Sequence, residues 1–365
     1  VLWTDRFEKA PRQVVQLYQD VTQALARRIG VRLAEETLAR YAEAFETDPQ
    51  VQDALFRARF HWQKLTPEGF DLAEDYYQLA LERDPTSAEA YAGLASVHLG
   101  RAQQGIISGA EAQRLQEPLI ERAAELDPGL AAVQTRLAGL RVWSDWDWAG
   151  GLEAFRRALE ADPLDSETRA YFSHLLLYLD RDDEALAQVE EAMRIEPFNT
   201  LVRALYAMDL NALHRYQEAE EVLLRALERE DEAPIVLSTL RTTYHLLGRH
   251  ADAIRMWRAS YGAQGDRGAL EALDEGYEEG GYEAALTAVA DLFVERSETA
   301  YVTPWQIATL YTRAGRKEKA LHYLELAFDE HDQNMPYISI DPIFDFLREE
   351  PRFQDLVERL GLAGA

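Results

Sequence analysis

Few side chains in this sequence are spaced to do chemistry. The eight histidines are scattered. The one near pair, His245 and His250, stands five positions apart, a spacing that turns two rings away from each other on a helix. No carboxylate pair completes a ligand set beside them. The run EALDEGYEEGGYE from Glu271 holds six acids and no base. It lacks the alternating oxygen ligands and glycine of a calcium loop, so it reads as a solvated helical face. The absence of cysteine excludes disulfides, thiolate zinc sites and cysteine nucleophiles. No G-x-x-x-x-G-K-[ST], no G-x-G-x-x-G after a strand, no G-x-S-x-G and no H-E-x-x-H occurs; GAQGDRG at 262–268 is a glycine-bearing connection. The expectation is a chain that is not an enzyme and carries neither metal nor cofactor.

Charge narrows the partners further. The formal net charge is −27, and only four lysines are present, Lys9, Lys64, Lys317 and Lys319. Phosphate backbones and anionic membranes are bound through basic patches, so nucleic acid and membrane surfaces are poor partners for this chain. The charge is uneven: residues 1–32 carry +3, leaving −30 for the remainder. No apolar stretch is long enough to span a bilayer. The chain begins at Val1 without a signal-peptide pattern, which reads as a boundary inside a longer protein. The compartment stays open, the cytoplasm being placed slightly ahead of an extracytoplasmic bacterial location.

The elements that position these side chains follow from a repeated phrase. YYQLALERDP, IERAAELDP, FRRALEADP and VEEAMRIEP share a small residue, a large apolar one, another small one, then an acid and proline, and their prolines, Pro85, Pro128, Pro163 and Pro197, are spaced 43, 35 and 34. In the unit starting at Ser166, Phe172 and Ser173 belong to a first helix, and Ala185, Val189 and Ala192 to a second. The alanines admit close helix approach, Val189 fills the gap to the next unit, and the proline stops the helix. Degenerate units keep Ala253 and Trp257, then Ala285 and Val289, at the same places. The second unit is nine residues too long, with the excess assigned to a glycine-marked loop in GRAQQGIISGAEAQRLQEP. In WSDWDW, Asp145 or Asp147 is placed to cap a helix, and the three tryptophans read as buried at a turn in preference to ligand-binding.

A 34-residue period of two helices resembles the tetratricopeptide repeat. The register predicts an all-α solenoid of about eight helix pairs, a right-handed superhelix by family geometry, with helical caps at both ends. Its parts are 1–10, the tail of an upstream domain; 11–53, N-terminal capping helices; repeats at 54–87, 88–130, 131–165, 166–199, 200–233, 234–265, 266–300 and 301–335; and a C-terminal cap, 336–365. In that cap Phe344, Phe346, Leu347, Phe353, Leu356 and Leu360 are expected to cover the last pair. The first helix, from about Pro11 to Ile29, bears a stripe through Val14, Leu17/Tyr18, Val21 and Leu25; a second is expected over about Leu33–Phe45. The stripe covers barely two heptads, so a capping seam is preferred to a dimer zipper.

Several phrases, LWTDRF with VVQLYQDVTQAL, HWQKLTPEGFDLAEDYYQLALERDP, DWDWAGGLEAFRRALEADP and DPIFDFLREEPRFQDLVERLGL, together resemble the repeat region that follows a TolB-like domain in bacterial signalling proteins linked to kinases, adenylate cyclases or winged-helix regulators. The resemblance implies a protein-protein interaction scaffold with a concave groove. Projecting the groove positions implied by the repeat family onto this register selects Trp62, Trp143, His174, Tyr178, Met208, Asn211, His245 and Trp305. That floor is apolar and aromatic, unlike the basic clamp of co-chaperone members, and suits a peptide or helix with apolar anchors and basic flanks. The alternative is a dimerisation module using the seam at Val14, Tyr18, Val21 and Leu25 to bring effector domains together.

Overall fold

A computed structural model describes residues 48–228 and 233–362. The helices expected near Pro11–Ile29 and Leu33–Phe45, with the seam residues Val14, Tyr18, Val21 and Leu25, lie outside the described residues. What is described is helical throughout, and it runs as antiparallel pairs in chain order. The pairs are α1 (Pro49–Trp62) with α2 (Pro67–Arg83), α3 (Ala88–Gln103) with α4 (Gly109–Leu126), and α5 (Ala131–Gly139) with α6 (Trp148–Ala161). Next come α7 (Ser166–Tyr178) with α8 (Asp182–Ile195), α9 (Thr200–Ala212) with α10 (Tyr216–Leu227), and α11 (Pro234–Leu246) with α12 (His250–Gln264). Helix α13 (Arg267–Ser297) is itself a pair, broken where Gly280 leaves helical geometry and Gly281 takes φ 74°. Helices α14 (Pro304–Arg313) and α15 (Lys317–Asp329) follow, then two short 3-10 turns, Met335–Ser339 and Pro342–Leu347, and α16 (Pro351–Arg359).

The repeated acid–proline phrase makes each stop from two parts. Proline bars the helix from continuing, and the acid before it folds back on the chain as an Asx turn. Asp84 Oδ1 accepts from the Thr86 amide at 2.9 Å, Asp127 from Gly129 at 3.0 Å and Asp162 from Leu164 at 3.0 Å. The next helix starts on a side-chain cap a few residues later: Ser87, Asp165 and Asn199 each accept from the amide three positions on. Of the two acids proposed to cap α6, Asp147 does so, accepting from Gly150 at 2.9 Å. Helix α1 starts at Pro49, ahead of the sequence-derived unit boundary, because Asp48 caps it and Pro49 suits the first turn.

Between the layers the small–large–small pattern is buried as its chemistry requires. Ala185, Val189 and Ala192 are fully enclosed, as are Ala253, Trp257, Ala285 and Val289. The extra length of the second unit is not a long loop. Only residues 104–108 connect α3 and α4, and the surplus goes into two long helices. Of the capping residues, Phe344, Leu347, Phe353, Leu356 and Leu360 are buried, but Phe346 is 43% exposed, since it points off the turn that buries Phe344 and Leu347.

The solenoid returns on itself. The start of α14 meets the α3–α4 connection: a Cβ at Gly105 would fall 2.6 Å from the Thr303 methyl. Past α15, His331 stacks on Trp146 at 3.7 Å and its Nε2 lies 2.5 Å from the Ser144 carbonyl. Gln333 donates to Ser144 Oγ at 3.0 Å, and Trp148 Nε1 donates to the Leu360 carbonyl at 2.9 Å. One continuous core therefore runs from Leu99 to Leu362.

Close approach of α2 and α3 depends on a missing side chain. A Cβ at Gly93 would sit 2.2 Å from the buried Tyr77 ring. Gly93→Ala should therefore destabilise the fold by about 1–3 kcal/mol, against the ~1 kcal/mol that alanine ordinarily gains over glycine in a helix. Urea titration followed by circular dichroism measures it; a raised midpoint would show that the ring swings aside without cost.

Candidate functional site

The chain's own residues 335–347 run back against the first helices of several pairs, touching α7, α11 and α14. Pro336 and Pro342 keep that segment out of longer helix, so its side chains are displayed in short turns. Tyr337 reaches the imidazole of His174. Its hydroxyl lies 2.9 Å from His174 Nδ1, and its ring meets those of His174 and Tyr178 edge-on, both at 5.6 Å between centroids. Trp143 closes the far side, its Nε1 donating to the Tyr178 hydroxyl at 3.4 Å. The π-type turn Leu140–Ser144 that extends α5 carries that tryptophan. Three of the residues selected from sequence, Trp143, His174 and Tyr178, thus converge on one phenol.

Beneath it lies a polar network. His174 Nε2 is 3.2 Å from Asp209 Oδ1, and Ser173 donates to Asp209 Oδ2 at 2.6 Å. All three are enclosed. Serine, histidine and aspartate in contact suggest nucleophilic chemistry, but here the serine is bonded to the carboxyl and not to the imidazole, and neither is open to a substrate. Burial pushes the His174 imidazole down to about 4 and the Asp209 carboxyl well above the usual carboxylate range, the Ser173 bond pulling the latter back. The imidazole is neutral near pH 7, and the network joins α7, α9 and the returning segment.

The other selected residues are distributed differently. Met208 and Asn211 line a half-open cavity of about 130 Å³ beside Tyr337, walled by α9, α11 and residues 337–342. Trp305 packs on Phe344 of the returning segment at 5.6 Å. Trp62 stands apart, buried at the first pair, with its Nε1 donating to the Ser96 carbonyl at 3.2 Å and Arg136 5.6 Å from its ring. His245 and His250 do not turn away from each other. They lie on α11 and α12, and Gly248 at φ 69° reverses the chain between them, so their rings stack at 6.1 Å and both stack on Tyr282. The helix spacing argument failed there because the two residues do not share a helix. Sequence reasoning also passed over Tyr337, Asp209, Arg241 and Arg313. The proline-flanked MPYISIDP and an acid inside the apolar run of α9 were the available signals.

Among the described residues no group of three or more histidines and acids is gathered to hold a metal. Among the same residues no helix is long and apolar enough to cross a membrane.

No family model matches the sequence, and no curated protein matches it. Solved structures are similar in fold. Cut9 in the Cut9–Hcn1 hetero-tetramer of the APC/C matches at 16% identity and TM-score 0.54, over 89% of this chain and 59% of that one. A monomeric IFIT1 mutant bound to m7Gppp-AAAA matches at 13% identity and TM-score 0.53, over 96% and 86%. YrrB, a TPR protein with an unusual peptide-binding site, is similar at 18% identity and TM-score 0.32, over 52% and 93%. The chain is an all-helical tetratricopeptide-type solenoid.

The buried imidazole makes stability depend on acid in a defined sense. An unfolded histidine protonates near pH 6.5, whereas native His174 resists protonation down to about 4. Between those values the unfolded chain binds the extra proton, so stability falls as pH falls. His174→Gln should flatten that decline by on the order of 2 kcal/mol. Urea midpoints from pH 7 to 4 for both chains test this; parallel profiles would mean that native His174 is already charged.

Proposed function

We propose that this chain is a protein-interaction scaffold whose recognition surface is the concave groove, and that a ligand enters along the path its own residues 335–342 follow. The observation that carries the reading is Tyr337, an aromatic anchor seated among Trp143, His174 and Tyr178 and hydrogen-bonded at its tip. Such an anchor buries much area at little side-chain entropy, the property that makes aromatics dominate interfaces. The segment then illustrates the ligand: an aromatic followed by aliphatic residues in short turns, with basic flanks suited to a chain of net charge −27. A partner must displace the internal segment, so apparent affinity is reduced by the fraction of time the groove is open. The phrases resembling repeat regions after TolB-like domains support placing the scaffold in a larger bacterial signalling protein.

A labelled peptide of sequence QNMPYISIDP tests the groove. It should bind the Tyr337→Ala chain at least about tenfold more tightly than the original, because the vacated aromatic cage admits it. Fluorescence anisotropy reads both affinities, and equal or absent binding would remove the groove as a recognition surface.

One observation favours a second reading, assembly. Phe56, Phe60 and Phe198 are 74%, 53% and 61% exposed and border an open depression of about 610 Å³ between α1 and the end of α8. Exposed aromatics gathered in this way mark contact surfaces. This reading expects a dimer by light scattering at micromolar concentration and a monomer for the Phe56→Asp/Phe60→Asp variant. A monomeric original chain would dismiss it.

A further inference from the structure

The cavity between α9, α11 and the returning segment contains a cation without a counterion. Arg241 lines it, and among the described residues no hydrogen bond or ion pair reaches its guanidinium. Its guanidinium carbon lies 3.9 Å from the centroid of the Trp257 ring, a cation–π contact that holds the group at the cavity wall. Arg313 approaches from α14, donating from Nη2 to the hydroxyl of Thr242, another lining residue, at 2.8 Å. The Nε atoms of both arginines and the Tyr261 hydroxyl are buried without partners. The one carboxyl on the cavity wall, Asp341, accepts from the Ile343 amide at 3.1 Å; burial raises its pKa and the charge of Arg313 lowers it, so this acid faces Arg313. With Asp341 facing Arg313, the half-buried guanidinium of Arg241 is left without an acid of its own on the cavity wall. Burial first, then Arg313, pulls Arg241 down to about 10, a penalty that an anion would relieve.

We infer that this cavity is a binding site for a small oxyanion, a carboxylate or phosphate group, with Arg241 as its principal ligand and Thr242 and Ser238 beside it. At about 130 Å³ the space exceeds what a single water needs and suits a small anionic group. Planar donors on a guanidinium edge match two oxygens of such a group at once. The inference stands on the guanidinium without an acid of its own and on the cavity, and does not require the groove to receive a peptide.

The test is calorimetric titration and thermal melting of the full chain near neutral pH with sodium acetate and, separately, sodium phosphate, each against chloride at equal ionic strength. One of them should bind one to one and raise Tm saturably; the anion that responds assigns the class. Arg241→Gln should weaken that binding at least about tenfold. Should that variant not fold, Ser238→Met, which narrows the cavity and leaves the guanidinium in place, must remove the response. No saturable response to either anion, or an undiminished response in the folded variants, overturns the inference.

Discussion

Tyr337 and His174 are 163 positions apart, and the hydrogen bond between them ties the end of the solenoid to its middle. Taken alone such a bond is worth about 1 kcal/mol. Its weight comes from what surrounds it. Asp209 and Ser173 occupy the other side of the imidazole, Trp143 and Tyr178 enclose the phenol, and all of them are shut off from water. Losing one partner would leave buried polar atoms unpaired, which costs more than the bond itself. The path of residues 335–347, the closure of the groove and the cavity beside it all depend on that contact.

How much of this was legible in the sequence differs by level. Ala185, Val189 and Ala192, with the acid–proline stop that follows them, carry both the helix pairing and its period, because close packing and chain reversal are local demands that local residues must meet. The meeting of Trp143, His174 and Tyr178 was partly legible, since the three share one face by position within their repeats. Their occupant was not. Nothing in the spacing of MPYISIDP says which distant helix it touches, since contacts of that separation leave no periodicity behind. His245 and His250 show the same limit at short range, where a single αL glycine moves one of them onto another helix. Arg241 leaves no signal of its own in the spacing, and only the cavity it lines gives that cation a chemical consequence.

A groove that is already filled changes how recognition would operate. An open superhelix presents its floor to any segment of suitable shape, whereas this one presents a competitor at very high local concentration. Discrimination then rests on the difference between a ligand's contacts and those of the internal segment. Weak or partial matches would not be retained. On the proposed reading, residues 335–342 would act as a threshold on affinity, set by the same aromatic cage that would do the binding.

The link from Trp148 to Leu360, bridging 212 positions, has a consequence for how the chain comes apart. An open array of repeats behaves as a line of neighbours, in which loss of structure starts at a free end and proceeds by breaking one interface at a time. Here the third pair and the C-terminal helix hold each other, so the line from α5 to α16 becomes a loop. To start unravelling, such a loop must break two boundaries at once, and fraying from the C-terminal side is suppressed. The returning chain also meets the α3–α4 connection, so among the described residues it is the first pair, α1 and α2, that the return does not hold, and opening is expected to begin there.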